Sequence, residues 1–248
     1  MKNKGRRPPL VTKEIYHIVI RAVDGLKLFR DKQDYLQMIH NLFVFNDLKP
    51  VSSKFRVARH FSLKRKLTKN DIVSLVNIRD EKREIIVEIL AFCLMLNHVH
   101  LLVRQVKDGG IIKLMRKIGT GYGHYYNQKY KRAGHVFQGR YKIVYITNDN
   151  QLKIVFVYIH TNPVAIICPK WKEEGIKIKD LNKIIKFLEE EYRWSSYLDC
   201  LGNKNFPSVT AREWLINEMG GVKEARRLVN DWLQVKRELA DSEQVAIE

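Results

Sequence analysis

A chain of 248 residues with 45% hydrophobic and 10% aromatic side chains can close a core, and disorder is not its default state. The 45 Lys+Arg against 27 Asp+Glu give a net charge of +18, unevenly spread: residues 173–248 hold 12 basic and 15 acidic side chains, leaving 33 and 12 in residues 1–172. That asymmetry points to a polyanion, nucleic acid, bound by the first two-thirds. A membrane is not an expected partner, because the longest apolar run, 89–96, is far too short to span a bilayer and no segment joins the charge to a sustained apolar helix face. Cys93, Cys168 and Cys200 lack metal-ligand spacing and are expected as ordinary thiols in a reducing compartment. The basic start leads into no signal-peptide core, so a cytoplasmic, nucleoid-associated protein is expected.

In chain order, Glu14 to Ala22 is rich in β-branched residues and reads as a strand, and Asp24-Gly25 supplies a turn. Asp31 is the expected N-cap of a helix to about Asn46, with Tyr35, Met38, Ile39, Leu42 and Phe43 on one face. Residues 47–84 read as a basic insertion. Eight cations and no acid lie between Lys49 and Lys69, either along a phosphate backbone or in a solvated loop, and a short helix is expected from about Thr68 to Val76. Ile85 to Val103 holds a strand or strand pair, and Asp108-Gly109-Gly110 turns the chain into a helix from Ile111 to about Tyr130. Gly119, Gly121 and Gly123 each weaken that helix by roughly 1 kcal/mol relative to Ala, so close packing should compensate. Lys113, Arg116, Lys117 and Lys129 interleave with Tyr122, Tyr125 and Tyr126, which suits base stacking or an amphipathic core helix. Core packing is the expected use of at least two of these tyrosines.

Gly134 to Ile146 reads as a turn and then a strand. Asn148-Asp149-Asn150 caps a helix from Gln151 to about His160, expected to end at Thr161-Asn162-Pro163 because the residue before proline resists the α region. Lys177 to Glu191 is a further helix. Strands and helices interleave as an antiparallel sheet with helices packed on it would require. The expected organisation is one α+β domain over residues 1–200 and a helical C-terminal extension over 201–248.

Leu96-Asn97-His98-Val99-His100-Leu101-Leu102 is the most informative stretch. On a strand, His98 and His100 point to one face and Val99 to the other, with roughly 6.5–7 Å between the two positions. Polar rings in an apolar strand are costly unless each finds a partner. They are either a two-histidine metal platform or two satisfied histidines at a strand end. Tyr158-Ile159-His160-Thr161-Asn162-Pro163-Val164 bears on the choice, because Tyr158 and Asn162 stack on one helical face about 6 Å along the axis. The Asn162 carboxamide oxygen can then be a third ligand to a hard ion, with the phenol beside it as a nucleophile.

Six segments in this order resemble a known family: Tyr16-His17-Ile18 with Arg21; Leu96 to Leu102; Tyr122 to Asn127; Gly134-His135-Val136-Phe137-Gln138-Gly139-Arg140-Tyr141-Lys142; Tyr158 to Val164; and Trp194-Ser195-Ser196-Tyr197. Together they are similar to the REP-associated tyrosine transposases of the HUH superfamily, single-strand DNA endonucleases and transposases. The resemblance covers roughly residues 13–200. It implies a ferredoxin-like (RRM-like) fold with the histidines on a central strand, His98, His100 and Asn162 as ligands of Mg²⁺ or Mn²⁺, and Tyr158 as nucleophile. It also implies transesterification on hairpin-bearing single-stranded DNA through a 5′-phosphotyrosine. Arg21, Arg116, Lys117, Arg140 and Lys142 are candidate DNA contacts. A monomer and a homodimer are both compatible with the sequence, and the alternative function is a DNA-binding regulator that keeps the fold without strand transfer. The stretch between the first helix and the histidine strand is longer than the family pattern.

Overall fold

The computed structural model describes residues 9–49 and 83–245; the expected short helix at 68–76 and most of the basic insertion lie outside them. Four strands, β1 (Ile15–Arg21), β2 (Val87–Met95), β3 (His98–Gln105) and β4 (Lys142–Tyr145), form one antiparallel sheet in the order β2-β3-β1-β4. Helix α1 (Lys32–Val44) connects β1 to β2, and α2 (Gly110–Lys129) connects β3 to β4. The order βαββαβ with this strand arrangement is the ferredoxin-like fold expected from the sequence.

Alternation along each strand divides the core in two. Tyr16, Ile18, Ile20, Val99, Leu101 and Val103 face α1 and α2 and are buried with Met38, Ile39, Leu42, Leu114, Ile118 and Tyr122. The opposite face carries Ala91, Cys93 and Leu102 and is covered by α3 (Asp149–Thr161) together with the C-terminal elements. Among those are α5 (Ile178–Lys186), α7 (Arg212–Glu218) and α8 (Val222–Val245); α4 (Val164–Ile167) and α6 (Tyr197–Cys200) are single turns between them. Leu215, Ile216, Met219, Ala225, Val229 and Leu233 share this second core with Phe156 and Ile159, so the tail helices complete the layer that holds α3. Each fully buried aliphatic or aromatic side chain contributes about 1.5–3 kcal/mol.

Local chemistry explains the element ends. Asp31 accepts hydrogen bonds from the Gln33 and Asp34 amides at 2.9 and 3.2 Å, and Asp34 accepts from the Asp31 amide, a capping box that starts α1. Asn148 accepts from the Gln151 amide at 2.9 Å and starts α3. The apolar run from Ile85 resolves into two strands joined by a tight turn at Leu96-Asn97, whose carbonyls accept from the Leu28 and Ala22 amides at 2.8 and 2.9 Å. The free edge of β2 is closed by residues 194–196: the Leu94 amide donates to the Trp194 carbonyl, and the Ser196 amide to that of Phe92.

Three expectations are corrected. The helix ends at Thr161, where expected, but not for the expected reason: Asn162, before Pro163, has φ −52° and ψ −38°, in the α region. Its carboxamide Nδ2 donates to the Tyr158 carbonyl at 2.6 Å, and with Thr161, Asn162 and Val164 all buried the chain turns on into α4. The last strand is only Lys142–Tyr145, because Gly139 adopts φ +53° and separates it from the Val136–Gln138 piece that pairs with the end of β1. Of the three α2 glycines, Gly121 alone packs closely, under the Phe45 ring; a Cβ at Gly119 or Gly123 would meet nothing within 4 Å. The closest approach is instead at Gly110, where a Cβ would lie 2.3 Å from the Ile86 carbonyl oxygen.

Gly110→Ala should therefore lower unfolding free energy by about 1–3 kcal/mol, whereas Gly123→Ala should raise it by up to about 1 kcal/mol. Denaturant midpoints measure both. A Gly110→Ala variant as stable as the parent would refute the close approach.

Candidate active site

The β1–β3 register pairs Val19 with His100, Arg21 with His98 and His17 with Leu102. Paired residues share a face, so His17, Arg21, His98 and His100 all project from the same side of the sheet. This is the side that α3 covers, and α3 presents Tyr158 to it. The structure thus brings the phenol to the imidazoles: the Tyr158 ring stands edge-on to His100 and His17, with centroids 5.4 and 5.9 Å away. The His98 and His100 rings are 4.9 Å apart and nearly perpendicular.

Burial grades across the site. His100 is 1% exposed, Asn162 5% and Tyr158 37%, so the phenol is the accessible lip and His100 the floor. Nδ1 of His100 shares a 2.9 Å hydrogen bond with Nε2 of His17, whose ring lies parallel to it. His98 turns its Nδ1 to Asn97 Oδ1, 2.7 Å away. Burial pushes all three imidazoles toward the neutral form: His17 to about 4, His98 to about 4 with Arg21 and Lys172 adding, and His100 to about 2 with His98, His17 and the same two cations adding.

These groups offer donor atoms that could hold a divalent ion. The buried Nε2 of His100 has no protein partner, and a neutral imidazole offers a lone pair there. With Nδ1 of His98 engaged, its Nε2 remains; with Nδ2 of Asn162 engaged, its Oδ1 meets only the Lys172 ammonium, at 3.5 Å. Among the described residues no group of three or more His, Cys, Asp and Glu side chains is arranged to hold a metal, so a site here depends on the amide oxygen as well as the two imidazoles. Cys93 pairs with His100 in register on β2, yet complete burial raises its pKa far above the usual thiol range and keeps it a thiol. The donors are then nitrogen and oxygen only, with no thiolate to favour a soft ion.

The candidate DNA contacts separate into two groups. Arg21 is exposed at the end of β1, and exposed Lys142 pairs with Val19, which places both on the histidine face. Arg140 is exposed in the turn just before β4. Arg116 and Lys117 lie on α2, across the sheet, and Lys117 Nζ donates to the carbonyls of Asp47 and Lys49 at 2.5 and 3.2 Å. The α2 tyrosines are core residues, as expected: Tyr122, Tyr125 and Tyr126 are buried on that far layer and donate to Leu28 O, Asp34 Oδ1 and Lys27 O.

Two site residues carried no role in the sequence reading. His17 had a detectable signal, a polar ring inside the apolar strand Ile15–Ile20. Lys172 had none; it is one of 45 cations, and only folding sets its Nζ 4.7 Å from the Tyr158 ring centroid and 3.5 Å from Asn162 Oδ1.

Residues 56–162 match the family model described as transposase, IS200-like. A solved structure of a REP-associated tyrosine transposase bound to a REP hairpin is similar over 84% of this chain and 91% of its own, with a TM-score of 0.47 and 14% identity. No curated protein matches the sequence. No helix among the described residues is long and apolar enough to cross a membrane.

The depressed imidazoles set a pH dependence. Above the ordinary histidine value near 6.5 neither folded nor unfolded chain binds these protons; below it the unfolded chain binds them first, so stability should fall from about pH 6.5 down to about 4. Histidine Cε1–H signals followed by NMR should keep His17 and His98 neutral at pH 5.5. Titration of both near 6.5 would contradict the buried geometry.

Proposed function

We propose that this chain is an IS200-like transposase, a reading its match over residues 56–162 supports, and that it cleaves and rejoins single-stranded DNA at hairpin-forming elements through Tyr158. The observation that supports this best is the convergence of an accessible phenol on a buried imidazole pair, with the Tyr158 and His100 ring centroids 5.4 Å apart. Across the sheet, Tyr125 and Tyr126 are buried and hydrogen-bonded, so neither can meet a DNA backbone as nucleophile.

In the proposed reaction the Tyr158 Oη–phosphorus bond forms as the bond from phosphorus to the 3′ oxygen breaks. The phenol proton passes to solvent at the exposed lip and the departing oxygen takes one up, leaving a 5′-phosphotyrosine and a free 3′-hydroxyl. Attack by another 3′-hydroxyl reverses the step and joins strands. An ordinary phenol, with a pKa of about 10, is ionised roughly one part in a thousand at pH 7, a deficit near 4 kcal/mol. His98, His100 and Asn162 Oδ1 would hold the divalent ion, which when bound polarises the scissile phosphate. The three donors bring no negative charge, and Arg21 and Lys172 stand nearby, so affinity for the ion should depend on a DNA phosphate completing the site. Arg21 and Lys142, on the same face, would meet the backbone on its way to Tyr158. The domain boundary proposed near residue 200 assigns the tail helices to support of this layer.

Tyr158→Phe should abolish the covalent adduct seen on a denaturing gel with a labelled single-stranded hairpin from the flanking DNA, while hairpin binding stays nearly intact. An adduct at parental level in that variant would disprove the nucleophile. His98→Ala or His100→Ala should each remove Mg²⁺-dependent cleavage, and cleavage indifferent to either change would end the metal assignment. Binding should weaken with salt at a log–log slope of about −0.7 per phosphate contacted. A flat titration would argue against backbone contacts.

A further inference from the structure

Among the described residues Lys172 is the cation set over the Tyr158 ring, and its place is built rather than incidental. The preceding residue, Trp171, is 1% exposed and belongs to the second core. Around it the Trp171 amide donates to Cys168 O at 3.2 Å, the Glu174 amide to Lys170 O at 2.8 Å, and the Ile176 amide to Lys236 O on α8 at 3.1 Å. A lysine on a free loop would sample many directions. This one leaves an anchored turn and reaches back over the Tyr158 ring, 4.7 Å from its centroid and 5.7 Å from that of Trp171. Its Nζ also lies 3.5 Å from Asn162 Oδ1.

Two of the three charged side chains that act on this ammonium share its sign. Arg21 and Lys236 act on it as cations, and Glu173, its chain neighbour, is the one carboxylate that acts in the other direction. It makes no ion pair within 4 Å among the described residues, unlike Lys129 with Asp31 and Asp34 or Lys170 with Glu174. An exposed lysine whose ammonium lies against a ring face and an amide oxygen, with two cations near it and no ion-paired carboxylate among the described residues, is open to an anion. The group that must come to this ring in the proposed reaction is a phosphate.

We propose that Lys172 is a positioning residue for strand transfer: its ammonium holds the Tyr158 ring over the histidine pair and supplies a fixed positive charge to the phosphodiester that the ring must meet. The inference rests on the reading of Tyr158 as nucleophile. Orientation comes from the cation–π contact, and the remaining N–H donors of Nζ are free to turn toward non-bridging oxygens. Lys172 stands fourteen residues beyond Tyr158, so the tertiary fold rather than helical spacing joins them.

The test compares Lys172→Met and Lys172→Arg with the parent, using the flanking hairpin for single-turnover adduct formation and a poly-dT oligonucleotide for binding at several salt concentrations. Lys172→Met should form adduct at least about tenfold more slowly, with the roughly 10²–10³-fold loss of a fully engaged charge-stabilising donor as the upper bound. Its melting temperature should be unchanged, and its log–log salt slope should be shallower by about 0.7, one phosphate contact. Lys172→Arg should recover most of the rate and the full slope. Parental rate and slope in Lys172→Met would overturn the proposal, as would a Lys172→Arg variant no better than Lys172→Met. If the parent itself forms no Tyr158-dependent adduct, the nucleophile reading fails separately, and the salt slope alone decides whether Lys172 meets a phosphate.

Discussion

The hydrogen bond between His17 and His100 is the constraint on which the site depends. His100 is 1% exposed beside the buried Cys93 and Leu102, and an unpartnered polar ring there would cost several kcal/mol. His17, one strand away, supplies the partner at 2.9 Å. The bond also couples the two tautomers. When Nδ1 of His100 donates to Nε2 of His17, the buried Nε2 of His100 keeps its lone pair for a ligand, and His17 carries its proton on the outer nitrogen. One interaction therefore stabilises the fold and prepares a donor atom, and it requires both rings to stay neutral, which burial enforces.

The two faces of the sheet divide the work. One packs α1 and α2 into a closed core in which the Tyr122, Tyr125, Tyr126 and Tyr130 hydroxyls are engaged, with Asp34 accepting from Tyr125, Tyr130 and Lys129. The other carries the imidazoles and is covered by α3, but incompletely: Tyr158 stays 37% exposed, and Val144 on the β4 edge 48%. That partial cover leaves a route to the phenol while His100 stays dry beneath it. The C-terminal helices matter to the site through this layer. Leu215, Ala225 and Val229 pack with Phe156 and Ile159, and they hold α3 at the height that puts Tyr158 over the histidines.

Electrostatics follow from the same arrangement. The site groups are neutral or positive, with Arg21 and Lys172 depressing the protonation of His98 and His100. Such a site favours an incoming anion and disfavours a bare cation. A divalent ion and a phosphate would then stabilise each other there, each offsetting the charge that the other meets.

Much of this was legible in the residues themselves. Period-two alternation put His98 and His100 on one face, the four-residue spacing put Tyr158 and Asn162 on another, and Asp31 and Asn148 marked helix starts, because these signals are local and need only backbone geometry. The sequence also determined a basic first two-thirds and an acidic remainder. It did not determine that the imidazole pair and the phenol would meet, since that requires α3 to pack on the histidine face rather than the opposite one. Nor did it determine the role of His17, which depends on a register between strands more than eighty residues apart, or the place of Lys172, which depends on a buried tryptophan beside it. Those are contacts between distant segments, set by which apolar faces bury together, and only the tertiary structure decides them.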